Sequence, residues 1–181
     1  MFSDTPARLE FDTQSEHSLR YILTDEPLTH WFLAHGASPT ATASALYMTP
    51  LMQACTISPL HIVKLLHAHS TSMHNALQCA AGADTENRLE VMAFLLDNGA
   101  EIDAVKWKHH LFSYQSFEWA YLGSALHYAV TRGFEDRVKL LLGRGADIKV
   151  LNSAGQDVKE TAKASGNLDI LELPDSHIID K

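Results

Sequence analysis

The stretch "GSALHYAVTRGFEDRVKLLLGRGAD", from Gly123 to Asp147, decides the fold. Ser124 stands where a helix N-cap would accept a bond from a free backbone N–H. Phe134, Val138, Leu141 and Leu142 follow at i, i+4, i+7 and i+8, the spacing of one helical face. Gly145 comes just past that face, where a left-handed stop favours glycine. The stretch therefore reads as helix, turn, helix. A single hairpin of this kind cannot bury its own apolar face, but a stack of them can.

Echoes of the stretch run along the chain. Thr49–Met52 reads "TPLM" and Asn75–Gln78 reads "NALQ", each beginning on an N-cap residue. Pro50 falls at the first helical position, where its missing N–H costs nothing. Second-helix endings recur as "FLAHGAS" from Phe32, "LLDNGAE" from Leu95 and "LLGRGAD" from Leu141, with "LLHAHST" from Leu65 a degraded copy. Gly36 and Gly99 stand where Gly145 does. The unit from Asn75 to Gly99 is three residues longer than that from Ser124 to Gly145, and "GADTEN" absorbs the excess. Met92, Leu95 and Leu96 repeat the apolar face.

These motifs resemble the ankyrin repeat family, over about residues 15 to 170. With its long interruption before Gly123, the chain looks like the short ankyrin proteins of filamentous fungi. The resemblance implies an all-α solenoid of about five helix-turn-helix units with degenerate caps and one long aromatic insert. The units fall at about 1–43, 44–72, 73–104, 105–150 and 151–181 of one domain, with the insert at 105–123. It also implies that His127 ties the cap and the loops together by hydrogen bonds. Binding would be to a protein or peptide, on the concave face made by β-turn fingers and inner helices. The residue after the motif's His position points into that groove, which gives Tyr21, Gln53, Cys79 and Tyr128.

Composition sets the class of partner. Hydrophobic residues make up 46% of 181, enough for a packed core. Asp and Glu number 22 against 14 Lys and Arg, a net charge of -8 that repels nucleic acid and anionic membrane. No apolar run is long enough to cross a bilayer. The opening "MFSDTPARLEFD" has acids where a secretory signal would want basic residues. These features point to a cytoplasmic protein, with the nucleus left open. Two cysteines, Cys55 and Cys79, are too few for a disulfide scaffold.

Departures from the repeat are the better functional clues. The finger between Ser70 and Asn75 is nearly absent, and Ser70 stands in the slot of the stop glycine. A non-glycine residue held left-handed there would cost about 1 kcal/mol, so the backbone is expected to take another path. His67 aligns with Leu33, Leu96 and Leu142, at a core position. The 105–123 insert carries Trp107, Phe112, Tyr114, Phe117, Trp119 and Tyr121. Such a segment either folds back as core or supplies anchors such as Trp107, Tyr114 and Trp119. "VKWKHH" within it is the most basic patch. In the terminal unit, Lys159 takes the place of the inward Leu.

Chemistry is harder to find. His67-x-His69 and His109-His110 lack the i, i+4 spacing that puts two imidazoles on one helical face, so neither a metal nor another cofactor is expected. No phosphate loop or nucleophile elbow occurs. The leading expectation is a non-catalytic interaction module. The alternative is a small biosynthetic enzyme or accessory that encloses a small molecule under the insert. Its acid/base groups would be Tyr21, Tyr128, His110, Asp84 and Glu86, two of which must reach one substrate.

Overall fold

The computed structural model describes residues 20–40, 48–70, 72–73, 75–106, 108 and 122–172. Among them every regular element is a helix and none is a strand. The chain divides into two compact units between Ser72 and Met73, within the shortened finger.

The first unit holds α1 (Glu26–Ala34), α2 (Pro50–Ile57) and α3 (Leu60–Ala68). Asp25 caps α1, accepting from the Leu28 amide at 2.9 Å. Thr49 caps α2, accepting from the Met52 amide at 3.1 Å, with Pro50 in the first turn as its sequence predicts. Thr29 Oγ1 donates to the Ile22 carbonyl at 2.7 Å, tying the helical turn at 20–22 to α1. Ser58 Oγ donates to the Leu23 carbonyl at 2.6 Å, so the α2–α3 turn is pinned to the same segment. Leu23, Leu51, Ile62 and Leu66 are fully buried. Each such side chain contributes about 1.5–3 kcal/mol by leaving water.

The second unit holds α4 (Ala76–Gly82), α5 (Arg88–Asp97), α6 (Ala125–Arg132), α7 (Glu135–Gly143) and α8 (Val158–Ser165), with a 3-10 turn at Leu168–Glu172. These form consecutive hairpins. First helices α4, α6 and α8 pack side by side, and α5, α7 and the 3-10 turn form the second row. Leu77, Met92, Leu95, Leu126 and Leu141 fill the space between the rows. Each hairpin thus covers its neighbour's apolar face.

Several sequence expectations meet the structure here. Gly36, Gly99 and Gly145 have φ of 83°, 88° and 86°, the left-handed stops that the motif requires. Ser70 is not left-handed; the positive φ comes at Asn75, at 61°. Asn75 therefore differs from the expected N-cap, because from that conformation its side chain makes no capping bond to α4. His67 is half-buried on α3. Lys159 is exposed, and Val158, Thr161 and Ala162 pack α8 instead, behind a reciprocal cap between Asp157 and Glu160.

His127 joins hairpins, as the family resemblance implies. Its Nδ1 accepts from the Ser124 amide at 3.2 Å and lies 2.9 Å from Ser124 Oγ. An accepting Nδ1 puts the ring proton on Nε2, which then donates to the Gln156 carbonyl at 3.3 Å. Burial pushes the His127 pKa down, against the opposing pull of that carbonyl and of Asp157.

Candidate functional site

Cys79 and Tyr128 are each the fourth residue of their helix, α4 and α6. Equal register on adjacent helices sets them on the same face. Gly82, one turn beyond Cys79, makes room for the ring: a Cβ added there would lie 3.4 Å from Tyr128 Cβ and Cδ1. Cys79 is buried and Tyr128 half-buried.

Lys106 completes the cluster. Its amide donates to the Gly123 carbonyl at 3.0 Å, and two residues earlier the Ala104 carbonyl accepts from Gln78 Nε2. With its main chain so held, the side chain sets Nζ 5.5 Å from the centroid of the Tyr128 ring and close enough to Cys79 for each group to act on the other's ionisation. Burial pushes the Cys79 pKa up, and Lys106 pulls it only part of the way back. Tyr128 is pushed up in the same way, against Lys106 and a bond with the Gly123 backbone. Burial disfavours the charge on Lys106, but Cys79 and Tyr128, which turn negative on ionising, carry its pKa upward overall. At neutral pH the site is thus one ammonium seated on a neutral thiol and a neutral phenol ring. A buried thiol of this kind is a poor nucleophile, and a charged amine is no nucleophile at all. The arrangement suits recognition better than covalent chemistry.

The end of α4 is fixed by a residue that periodicity assigns no role. Arg137, 6% exposed on α7, donates from Nη1 to the carbonyls of Ala80 and Ala81 at 3.1 Å and to that of Ala83 at 2.5 Å. Its Nη2 donates to the Thr85 carbonyl at 3.2 Å, and its guanidinium lies 3.9 Å from the centroid of the Phe134 ring. Arg132 Nε donates to the Gly82 carbonyl at 3.2 Å and Arg88 Nε to the Glu86 carbonyl at 3.0 Å. The longer loop after α4 is therefore wrapped around arginines. A guanidinium, with five donors in a planar fork, suits a row of carbonyls. The three additional residues in "GADTEN" were the visible signal of this clamp.

The other sequence-chosen residues scatter. Tyr21, 67% exposed, and Gln53, half-buried on α2, belong to the first unit. Trp107, His110, Tyr114 and Trp119 lie outside the described residues. Asp84 and Glu86 are exposed on the clamped loop. Asp84 acts on Arg137, and neither carboxylate contributes to the shifts at Cys79, Lys106 or Tyr128.

Comparison with known families agrees with this geometry. A family model described as "Ankyrin repeats (3 copies)" matches residues 22–106, and one described as "Ankyrin repeat" matches residues 123–153. The chain is an ankyrin repeat protein. The two matches leave out the residues between 106 and 123, where the sequence places its insert. "Putative E3 ubiquitin-protein ligase XBAT35" of Arabidopsis thaliana is 32% identical over 89 residues, which make up 49% of this chain and 17% of that protein. Ankyrin repeats are in general protein–protein interaction modules, so this chain belongs to a class of binding domains. Among the described residues no helix is long and apolar enough to cross a membrane.

Proposed function

We propose that this ankyrin repeat protein is a non-catalytic module that binds a protein or peptide segment on its concave face. The reading rests chiefly on the Cys79–Lys106–Tyr128 cluster, where adjacent helices carry a buried thiol and a half-buried ring at matched positions, with the Lys106 ammonium 5.5 Å from the ring centroid. An aromatic side chain buries much area with few rotors, which favours it as a binding anchor. In the second unit Cys79 and Tyr128 form the floor of the site; in the first, Tyr21 and Gln53 are contact residues of their own unit. Trp107, Tyr114 and Trp119 of the insert supply further anchors. The Lys106 amide donates to the Gly123 carbonyl, and Gly123 also bonds Tyr128 through its backbone, so these two residues flanking the insert's anchors lie beside the cluster. Ligase activity is not carried over from the plant relative, because the shared stretch is 17% of that protein. A cytoplasmic setting fits the acidic composition and the low cysteine count.

The test is selection of binders from a displayed random-peptide library on the full chain. Selected peptides should lose at least about 10-fold in affinity on Tyr128→Ala, and on Trp107→Ala or Trp119→Ala. Helical circular dichroism should stay at the wild-type level in all three variants. A library that yields no binder, or binders indifferent to all three changes, sinks the reading. So does a chain whose melting temperature rises with small molecules and with no peptide.

A further inference from the structure

The sequence contains one Asn-Gly pair, Asn98-Gly99, and it falls at the stop that ends α5. The helices α1, α5 and α7 all run into such a stop, with Gly36, Gly99 and Gly145 left-handed. The residue before each glycine has nearly the same backbone: His35 at φ -93° and ψ 15°, Asn98 at -101° and 16°, Arg144 at -93° and 6°. Two of these side chains also meet the carbonyl one turn back. His35 Nδ1 lies 2.7 Å from the Trp31 carbonyl oxygen, and Asn98 Nδ2 donates to the Phe94 carbonyl at 2.8 Å. The stops are alike as structure and different as chemistry. Of the three side chains only Asn98 has an amide carbon that the next main-chain nitrogen can reach in a five-membered ring. Glycine opposes that closure least, because it has no Cβ. Asn98 and Gly99 are both exposed, and a Cβ added at Gly99 would meet nothing within 4 Å, so water reaches the pair. The folded backbone nevertheless keeps the reacting atoms apart. At ψ 16° the Gly99 nitrogen is turned away from the Asn98 side chain, and its amide donates to the Leu96 carbonyl at 3.1 Å. The Ala100 amide donates to the Leu95 carbonyl at 3.0 Å and locks the same turn. Ring closure requires rotation about that ψ, which breaks these bonds.

We propose that Asn98 is a modification site, converted by its own backbone to aspartate and isoaspartate at a rate set by opening of the end of α5. The Gly99 nitrogen attacks Asn98 Cγ, and a C–N bond forms. The bond from Cγ to Nδ2 breaks, and the side-chain nitrogen leaves as ammonia with the proton that Gly99 gives up. Water then opens the succinimide at either carbonyl. The only co-reactant is water. Each product sets a carboxylate at the C-terminal end of α5 next to Asp97, where the helix dipole is already negative. Each also loses the donor to the Phe94 carbonyl, since a carboxylate only accepts. Isoaspartate further adds a methylene to the main chain just before the left-handed Gly99, so the stop loses its register. The modified chain is therefore less stable than the unmodified one.

The test is to incubate the full chain at mildly alkaline pH, digest it, and follow isoaspartate peptide by peptide. Isoaspartate should accumulate first at residue 98, ahead of Asn75, Asn87, Asn152 and Asn167. It should form at least about 10-fold faster in chain unfolded by guanidinium than in folded chain, because the reactive geometry needs local opening. Asn98→His, which copies the stop of the first unit, should abolish the signal in that peptide and leave helical circular dichroism at the wild-type level. Asn98→Asp, one of the two products, should melt below the wild type. Equal rates in folded and unfolded chain would remove the gate. Earlier modification at another asparagine, or none at residue 98 in the folded chain, would overturn the site. An Asn98→Asp variant that melts with the wild type would overturn the stated consequence for stability.

Discussion

The α6–α7 hairpin and the α4–α5 hairpin occupy successive places in the same stack, yet they are closed by different means. The α6–α7 hairpin closes largely through its own residues, with Asn167 Nδ2 adding bonds to the Val130 and Thr131 carbonyls at 2.9 and 3.3 Å. Ser124 and His127 complete its start, and Gly133, at φ 73°, turns the chain so that the Gly133 and Phe134 amides reach the carbonyls of Val130 and Ala129. The α4–α5 hairpin borrows its closure. Its first residue, Asn75, is left-handed and makes no cap, and the carbonyls at the end of α4 are taken by Arg137 from the next hairpin. Local closure leaves a signature in a few adjacent residues. Borrowed closure leaves only a length change at one place and an arginine more than fifty residues away. That is why one hairpin reads cleanly from its sequence and the other does not.

The largest expected effect follows from the borrowed closure. Arg137→Ala should lower stability by about 3 kcal/mol, because it removes charged donors and leaves the buried carbonyls of Ala80 and Ala81 without them. Arg137→Lys, with a single ammonium, should lose roughly half as much. Urea unfolding midpoints would measure both. Amide exchange should rise at 83–87 in the Ala variant and stay unchanged in α8, on the far side of α6. An unchanged midpoint would mean that the loop closes without the clamp, and the contrast between the hairpins would dissolve.

A smaller effect belongs to the hairpin that closes largely through its own residues. His127→Asn should cost about 1–2 kcal/mol at neutral pH, through the lost link to Ser124 and Gln156. It should also change the response to acid. Burial holds the folded His127 pKa below the ordinary imidazole value, so the unfolded chain takes up its proton first. The contribution of His127 is therefore complete above about pH 6.5 and is lost as pH falls from there towards the lower folded pKa. Wild type should lose more stability than His127→Asn between pH 7.5 and 5. Parallel melting curves across that range would show that the ring is not held neutral in the fold.

The same division between local and distant information explains what could be read in advance. Helix caps at Thr49 and Ser124, and the stops at Gly36, Gly99 and Gly145, were legible because each depends on its own neighbours. Cys79 and Tyr128 were legible as a pair because register on repeated helices is periodic. Lys106 was visible only as part of a basic patch, since its place over Tyr128 depends on the finger bond to Gly123. Arg137 escaped because a charged residue on an apolar helix face normally reads as solvated. Asn75 was misread because Asn serves both as an N-cap and as a left-handed residue, and sequence alone does not separate the two.

The smallest effect sharpens the comparison at a single dihedral. Asn87, exposed just before α5, has φ 60° and makes no side-chain cap, so its side chain brings strain without a compensating bond to the helix. Gly133 answers the same backbone demand in the other hairpin with no Cβ at all. Asn87→Gly should then raise stability, by up to about 0.5 kcal/mol, since Asn already tolerates this region and Gly gives back part of the gain as unfolded-chain entropy. Gly133→Asn should lower it by a similar amount, and more if the side chain disturbs Asn167, whose amide atoms would lie about 3.5 Å from the new Cβ. Chemical unfolding of the two variants, measured side by side, would check the pair. Opposite signs would show that the hairpins meet one steric requirement with two residues. A loss of stability in Asn87→Gly would show instead that the Asn side chain contributes something to the clamped loop that its geometry before α5 does not reveal.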